Sequence, residues 1–173
     1  MTPADLRILV TGGTFDKEYH ELDGRLFFHQ THVPEMLRLG RCGLSAAVEE
    51  LMLVDSLDMT DADRARVLDA CRKAPESRIV ITHGTDTMEL TARSVGEAAL
   101  AKTIVLTGAM VPYTFGSSDG LFNLGSALAF AQSLPHGTYV AMNGRVFPWD
   151  RVRKNRDLGT FEATDGEWRD GGT

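Results

Sequence analysis

Two short apolar runs, each ending directly in a threonine-glycine turn, constrain this chain more than any other feature. Leu6-Arg7-Ile8-Leu9-Val10 leads into Thr11-Gly12-Gly13-Thr14, and Ile79-Val80-Ile81 leads into Thr82-His83-Gly84-Thr85-Asp86. Runs this short, rich in β-branched residues and closed by glycine, predict buried strands of a parallel sheet. In an open parallel sheet the carboxyl ends of the strands gather along one edge, where ligands bind. Glycine lets the backbone turn sharply and approach a bound group, and the next residue can expose its side chain at the strand tip. The pattern therefore predicts two hydroxyls and an adjacent carboxylate facing one crevice.

Further strand-like segments at Glu50–Val54, Thr103–Thr107 and Tyr139–Met142 alternate with stretches of helical period. Thr60-Asp61-Ala62-Asp63 is a capping sequence for a helix with Val67, Leu68 and Cys71 inward and Pro75 at its end. A second helix places Met88, Ala92, Val95 and Ala99 on one face, and a third places Leu121, Leu124, Leu128 and Ala131. These stripes are core. The alternation specifies an α/β fold: a doubly wound, mostly parallel sheet flanked by helices in a flavodoxin-like, three-layer arrangement. At 173 residues with 43% hydrophobic content, the chain fits one domain with a sizeable core. That domain is expected over 1–161, with the glycine-rich stretch 162–173 as a polar tail. Phe15–Val33 has no clean period but carries Tyr19, Phe27 and Phe28, and reads as a long loop acting as an active-site lid.

Composition narrows the function classes. A net charge of −6 opposes binding a polyanion such as a nucleic acid. Arg151, Arg153, Lys154 and Arg156 form the one dense basic stretch; for the three arginines the expectation is a solvated surface loop. Cys42 and Cys71 have neither metal-ligand spacing nor the density of a disulfide scaffold, so they read as small buried hydrophobes in a reducing compartment. No metal and no cofactor is indicated. Met1-Thr2-Pro3-Ala4-Asp5 lacks the basic-then-apolar pattern of a signal peptide, and no apolar run reaches membrane-spanning length, so the expected location is cytoplasmic.

Several motifs occur in one order: Thr11-Gly12-Gly13-Thr14, Thr82-His83-Gly84-Thr85-Asp86-Thr87-Met88-Glu89, Gly108-Ala109-Met110, Ser118-Asp119-Gly120 with Asn123-Leu124, and Met142-Asn143-Gly144 leading to Val152-Arg153-Lys154. From about Arg7 to about Phe161 this order resembles the amino-terminal domain of the bacterial-type L-asparaginases, and ordered motifs are far more specific than any one of them. The resemblance implies hydrolysis of L-asparagine to L-aspartate and ammonia through an acyl-enzyme. It makes Thr14 the nucleophile with Tyr19 as its partner, and Thr85, Lys154 and Asp86 a second hydroxyl–amine–carboxylate set. A lysine amine relays a proton when its surroundings lower its pKa. The resemblance also assigns substrate contacts to Ser56 (α-carboxylate), Asp86 (α-ammonium), Thr85 and Ala109.

Each assignment has a plainer alternative. Taken alone, Thr14 or Thr85 is as readily a helix cap as a catalytic group, Asp55 and Asp58 are turn or cap residues, and Lys154 is a solvated charge. His83 reads as a packed, hydrogen-bonded histidine, and His20, His29, His32 and His136 show no ligand pattern. The sequence departs from the family at Leu57, where many relatives have a polar residue that helps hold the substrate, and at Val111, which replaces an arginine after Gly-Ala-Met. Most members also carry a second domain that completes the site from a neighbouring subunit. A homodimer or homotetramer is expected to supply the missing wall. A non-catalytic amino-acid-binding or regulatory domain, a deamidase of another small amide and a flavodoxin-like phosphate binder are the competing functions, and Asp86 beside the crevice opposes the last.

Overall fold

The computed structural model describes residues 4–164. Five parallel strands form the centre: β1 (Leu6–Gly12), β4 (Ala46–Val54), β5 (Arg78–Thr82), β6 (Thr103–Thr107) and β7 (Gly137–Met142), in the order β4-β1-β5-β6-β7. The antiparallel β8 (Arg145–Pro148) follows β7 at one side, and Met142 pairs with Arg145. Helices α1 (Val33–Leu39) and α4 (Gly120–Ser133) cover one face, and α2 (Asp61–Lys73) and α3 (Met88–Gly96) cover the other. This is the doubly wound, three-layer α/β arrangement that the alternating elements predict.

Alternation along the strands builds two cores. Leu6, Ile8, Val10, Val80 and Val105 point toward α1 and α4, while Leu9, Ile79, Ile81, Ile104 and Leu106 point toward α2 and α3. All are at most 1% exposed, and burying each such side chain favours folding by about 1.5–3 kcal/mol. Helix α2 starts as its sequence dictates: the Thr60 side chain accepts from the Asp63 backbone, and the Asp63 side chain accepts from the Thr60 backbone. The helical faces are narrower than their periodicity implies. Leu68 is half-buried, Leu121 is exposed, and Ala99 lies beyond α3 with a φ of 46°. Cys71 is buried, but Cys42 is only half-buried.

Three expectations need correction. The stretch 15–33 is no long loop: within it β2 (Lys17–His20) and β3 (Arg25–Phe28) form a β-hairpin, with Gly24, at a φ of 72°, closing the turn between them. The three arginines of the basic stretch are exposed as expected, but the stretch is not all loop: β9 (Val152–Asn155) pairs with β10 (Thr160–Ala163), Arg153 donates to Glu162, and Arg156 donates to the Asp86 carbonyl at 3.0 Å. Glu162, expected to open the polar tail, is buried at 2% exposure in β10, and 165–173 lie outside the described residues.

Candidate active site

In this strand order the chain leaves β1 to one side for β4 and returns on the other side for β5. The carboxyl ends of β1 and β5 therefore flank the switch point, the place where open α/β sheets bind ligands. Lateral bonds make this edge rigid. The Thr11 hydroxyl donates to the Thr82 carbonyl at 2.8 Å, the His83 backbone N–H to the Thr107 carbonyl at 2.8 Å, and the Thr107 hydroxyl to the Ala141 carbonyl at 2.8 Å.

The two glycine turns meet here. A methyl at Gly13 would lie 2.3 Å from the Gly84 backbone nitrogen, and one at Gly84 would lie 2.6 Å from the Ser56 hydroxyl oxygen. Glycine is needed at Gly13 for this close approach and for its φ of 80°. Bringing the turns together places the residues that follow, Thr14 and Thr85, on neighbouring strand tips beside Ser56.

Thr85 is 5% exposed and begins a polar set that three elements assemble. From β9, Lys154 inserts its amine between the Thr85 hydroxyl oxygen at 2.8 Å and the Asp86 carboxylate at 2.7 Å. The Lys154 side chain is 6% exposed, so the solvated reading of this lysine does not hold. With the amine donating to its oxygen, the Thr85 hydroxyl hydrogen points to the Met110 sulfur at 3.6 Å. Thr85 is no helix cap: the residue at the amino end of α3 is Thr87, whose hydroxyl donates to the Ser56 carbonyl at 2.8 Å.

Thr14 opens a single 3-10 turn (Thr14–Asp16) and caps nothing; the capping position belongs to Gly13. Its side chain is half-buried and has no hydrogen-bond partner among the described residues. Tyr19, in β2, is 54% exposed, and its phenol oxygen lies alongside the turn of its own hairpin, 3.8 Å from where a methyl on Gly24 would stand. The Thr85, Asp86 and Lys154 side chains are thus brought together, whereas the Thr14 and Tyr19 hydroxyls are not hydrogen-bonded to each other. Ser56 is 2% exposed against Gly84. Ala109 is 1% exposed with its methyl in the α1/α4 core, so only its backbone is available to a ligand. Leu57 is 66% exposed at the turn after Ser56.

Two buried titratable groups flank the threonines. Complete burial lowers the His83 pKa to about 4, although its bond to the Gly84 carbonyl opposes this. Its Nδ1–H donates to that carbonyl at 2.7 Å and its Nε2 lies 2.7 Å from the Thr91 hydroxyl, which makes it the packed histidine expected. Burial raises the Asp16 carboxyl to about 6 against the N–H of His32 and the hydroxyl of Thr31, both donating to Oδ1. Its Oδ2 is buried without a hydrogen-bond partner among the described residues.

Supporting residues stand in the ordered motifs without a role legible from sequence. Glu89, one turn after Thr85 on α3, accepts from the Lys154 backbone; burial raises its pKa in spite of that bond and of the nearby Lys154 and Arg156 charges. The Asp119 carboxylate accepts from the Met110 and Val111 N–H groups at 3.0 Å, and the Asn123 amide donates to the Gly108 carbonyl at 2.8 Å, so the Ser118-Asp119-Gly120 motif shapes the Gly108–Val111 loop. The place of Glu89 at the end of the second glycine-turn motif was the available signal for the first, but the partner lies on a strand distant in sequence. Among the described residues no group of three or more His, Cys, Asp or Glu could hold a metal ion.

Comparison with known proteins identifies the family. The Asparaginase, N-terminal family matches residues 5–165. The L-asparaginase of Thermococcus kodakarensis is 31% identical over 159 residues, which make up 89% of this chain and 48% of that protein. Its solved structure superposes with a TM-score of 0.81 at 30% identity, covering 91% of this chain and 50% of that one. A probable periplasmic L-asparaginase of Haemophilus influenzae is 38% identical over 121 residues, 66% of this chain and 33% of that protein. The structure of a probable cytoplasmic L-asparaginase from Campylobacter jejuni matches with a TM-score of 0.81 at 28% identity, covering 95% of this chain and 54% of that one. The chain thus spans between a third and just over half of the length of these relatives. With the match running through both glycine turns and on to the strand that bears Lys154, the chain belongs to the asparaginase family, in its amino-terminal part.

Proposed function

We propose that the chain is an amidohydrolase that cleaves the side-chain amide of L-asparagine to give L-aspartate and ammonia. One observation carries the reading: a nearly buried lysine amine lies within hydrogen-bond distance of both a strand-tip hydroxyl and a carboxylate, Lys154 between Thr85 and Asp86. Threonine is a weak nucleophile until a neighbouring base accepts its proton. In the proposed reaction the Thr14 oxygen attacks the amide carbon while its proton passes to the Tyr19 phenol oxygen and the phenol's own proton passes on toward the amide nitrogen. The C–N bond breaks as ammonia leaves with that proton, and water then cleaves the Thr14 ester. The Thr85–Lys154–Asp86 set activates that water and carries its proton. Asp86 and Ser56 hold the α-ammonium and α-carboxylate, and the backbone at Ala109 completes the pocket.

This chemistry needs Tyr19 nearer to Thr14 than its place along the hairpin turn. The hairpin is therefore proposed to close on substrate, which also removes water from the crevice. With Asp86 38% exposed and Tyr19 54% exposed, the site is open on one side, and a second copy of the chain in a homodimer or homotetramer is its proposed wall. The catalytic unit is proposed to include β10 and so to extend past residue 161. No helix of the described residues is long and apolar enough to cross a membrane. A cytoplasmic site of action is proposed in keeping with two free cysteines.

Ammonia release from L-asparagine, L-glutamine and D-asparagine, with Thr14→Ala as control, tests the reading. L-asparagine should be the best substrate and the variant inactive. Release from none of the three would leave an amino-acid-binding domain as the function. Light scattering over a dilution series tests assembly: activity per chain should fall where the oligomer dissociates, and a fully active monomer would refute the shared wall.

A further inference from the structure

We propose that Lys17 and Asp55 form a clasp that sets the β2–β3 hairpin against the Ser56 turn, and that both act as positioning residues for Tyr19 in the hydrolysis proposed above, on which this inference rests. Lys17 begins β2, and Asp55 is the first residue after β4. These two segments leave the carboxyl edge of the sheet from adjacent strands and then diverge, the hairpin outward and the Ser56 turn toward α2. The Lys17 amine donates to Asp55 Oδ2, while Asp55 Oδ1 accepts from the Leu57 N–H at 3.0 Å. One carboxylate thereby fixes the start of the hairpin and the shape of the turn that carries Ser56.

Three observations separate the clasp from an ordinary surface pair. The partners are only 17% and 29% exposed, so water screens them less than it does a free ion pair. Lys17 also stands opposite Phe28 in the hairpin ladder, with its amine 5.8 Å from the ring centre, so an apolar face shields one side of the charge. Asp55, finally, is held below its ordinary pKa: burial pushes it up, but the bonds from Lys17 and from the Leu57 N–H outweigh burial.

The consequence for Tyr19 follows from strand geometry. Residues two apart share a face, so a hairpin whose Lys17 turns toward Asp55 must turn Tyr19 to the same side. The other ties of the hairpin also lie at its base: Asp16 to Thr31 and His32, Glu18 3.1 Å from His32, and the Thr114 hydroxyl to the Lys17 carbonyl at 3.3 Å. Within this group Lys17–Asp55 is the tie that reaches the Ser56 turn. Releasing it would leave the sheet and both threonines in place but free the hairpin to roll.

Amide hydrogen exchange and steady-state kinetics on the full chain, for Lys17→Met, Asp55→Asn and Lys17→Arg, test the clasp. The first two should speed exchange of the 17–28 amides at least tenfold and lower kcat roughly tenfold, with KM changed less than threefold and the melting temperature nearly unchanged. Lys17→Arg, which keeps a donor for Asp55, should restore both values. Unchanged exchange in Lys17→Met would overturn the clasp whatever the activity. Faster exchange with kcat within twofold of the parent, in a protein that Tyr19→Phe impairs, would overturn the positioning role. Should the parent chain release no ammonia from any amide, the proposed function and the positioning role would both fail, and exchange alone would still decide whether the clasp holds the hairpin.

Discussion

Thr14 and Thr85 follow closely similar glycine turns on neighbouring strands, yet their surroundings differ. Thr85 is 5% exposed and already engaged by Lys154 and Met110, while Thr14 is half-buried and has no hydrogen-bond partner among the described residues. The buried titratable groups differ too: His83, two residues before Thr85, is held neutral down to about pH 4, and Asp16, two residues after Thr14, is held protonated up to about pH 6. One hydroxyl is already bonded within a polar set built into the sheet edge. The other is unengaged, and in the proposed reaction its partner arrives with the hairpin or the substrate. Preorganised groups raise rate without reorganising during the reaction, so the Thr85 side is suited to relay and the Thr14 side to attack.

The largest expected effects test this division directly. Thr14→Ala, Thr85→Ala and Lys154→Met should each lower kcat by about 10³-fold or more while the fold melts normally. Because Thr85 and Lys154 act as one unit, the double variant Thr85→Ala/Lys154→Met should be little worse than either single one. A Thr14→Ala enzyme within a few-fold of the parent would reverse the assignment of attack and relay. Tyr19→Phe comes next, at roughly 10²-fold in kcat with a smaller change in KM, since the phenol would relay the Thr14 proton only after closure. Equal activity would detach the hairpin from the Thr14 chemistry.

A third prediction concerns the two buried groups. Raised in the fold from an ordinary 3.8 to about 6, Asp16 contributes stability that is fully present below pH 3.8 and lost as pH rises through 6. His83, lowered from 6.5 to about 4, contributes stability that is present above pH 6.5 and lost as pH falls toward 4. Thermal melts from pH 4 to 8 should therefore show Asp16→Asn gaining on the parent as pH rises from 4 to 6, with the gain level above that. A difference that does not vary with pH would mean Asp16 is not held protonated. The smallest effect is Thr60→Ala, which removes the α2 cap and should cost about 1 kcal/mol by denaturant titration with kcat unchanged. A change in kcat would show that α2 is coupled to the threonine turns.

What the sequence shows and what it hides follow a common rule. The five parallel strands and the α2 cap were legible because their signals are local: β-branched runs, glycine at the tips, and a Thr-x-x-Asp box. Strand β8 and the β9–β10 pair were not, because four-residue strands among arginines carry too little period to register. The hairpin was hidden for a related reason: its exposed Tyr19, Leu22, Leu26 and Phe27 do not alternate with polar residues as a half-buried strand would. At the site, the threonines, Asp86 and Lys154 could be named through family resemblance. Glu89 and Asp119 stood in the same motifs without a role, and the Lys17–Asp55 pair in none, since each acts through a partner that only the fold brings near.

The flanks of the central sheet bear on how copies of this chain could meet. The outer strand on one flank, β4, carries Glu49 and Glu50 in its middle; on the other, β8 is four residues long and ends at Pro148, which has no N–H to donate. Charge in the first case and a missing donor in the second both discourage a neighbouring chain from adding a strand. Self-association by continuing the sheet is thereby disfavoured at both ends, which leaves helix faces and the crevice mouth as surfaces for an oligomer.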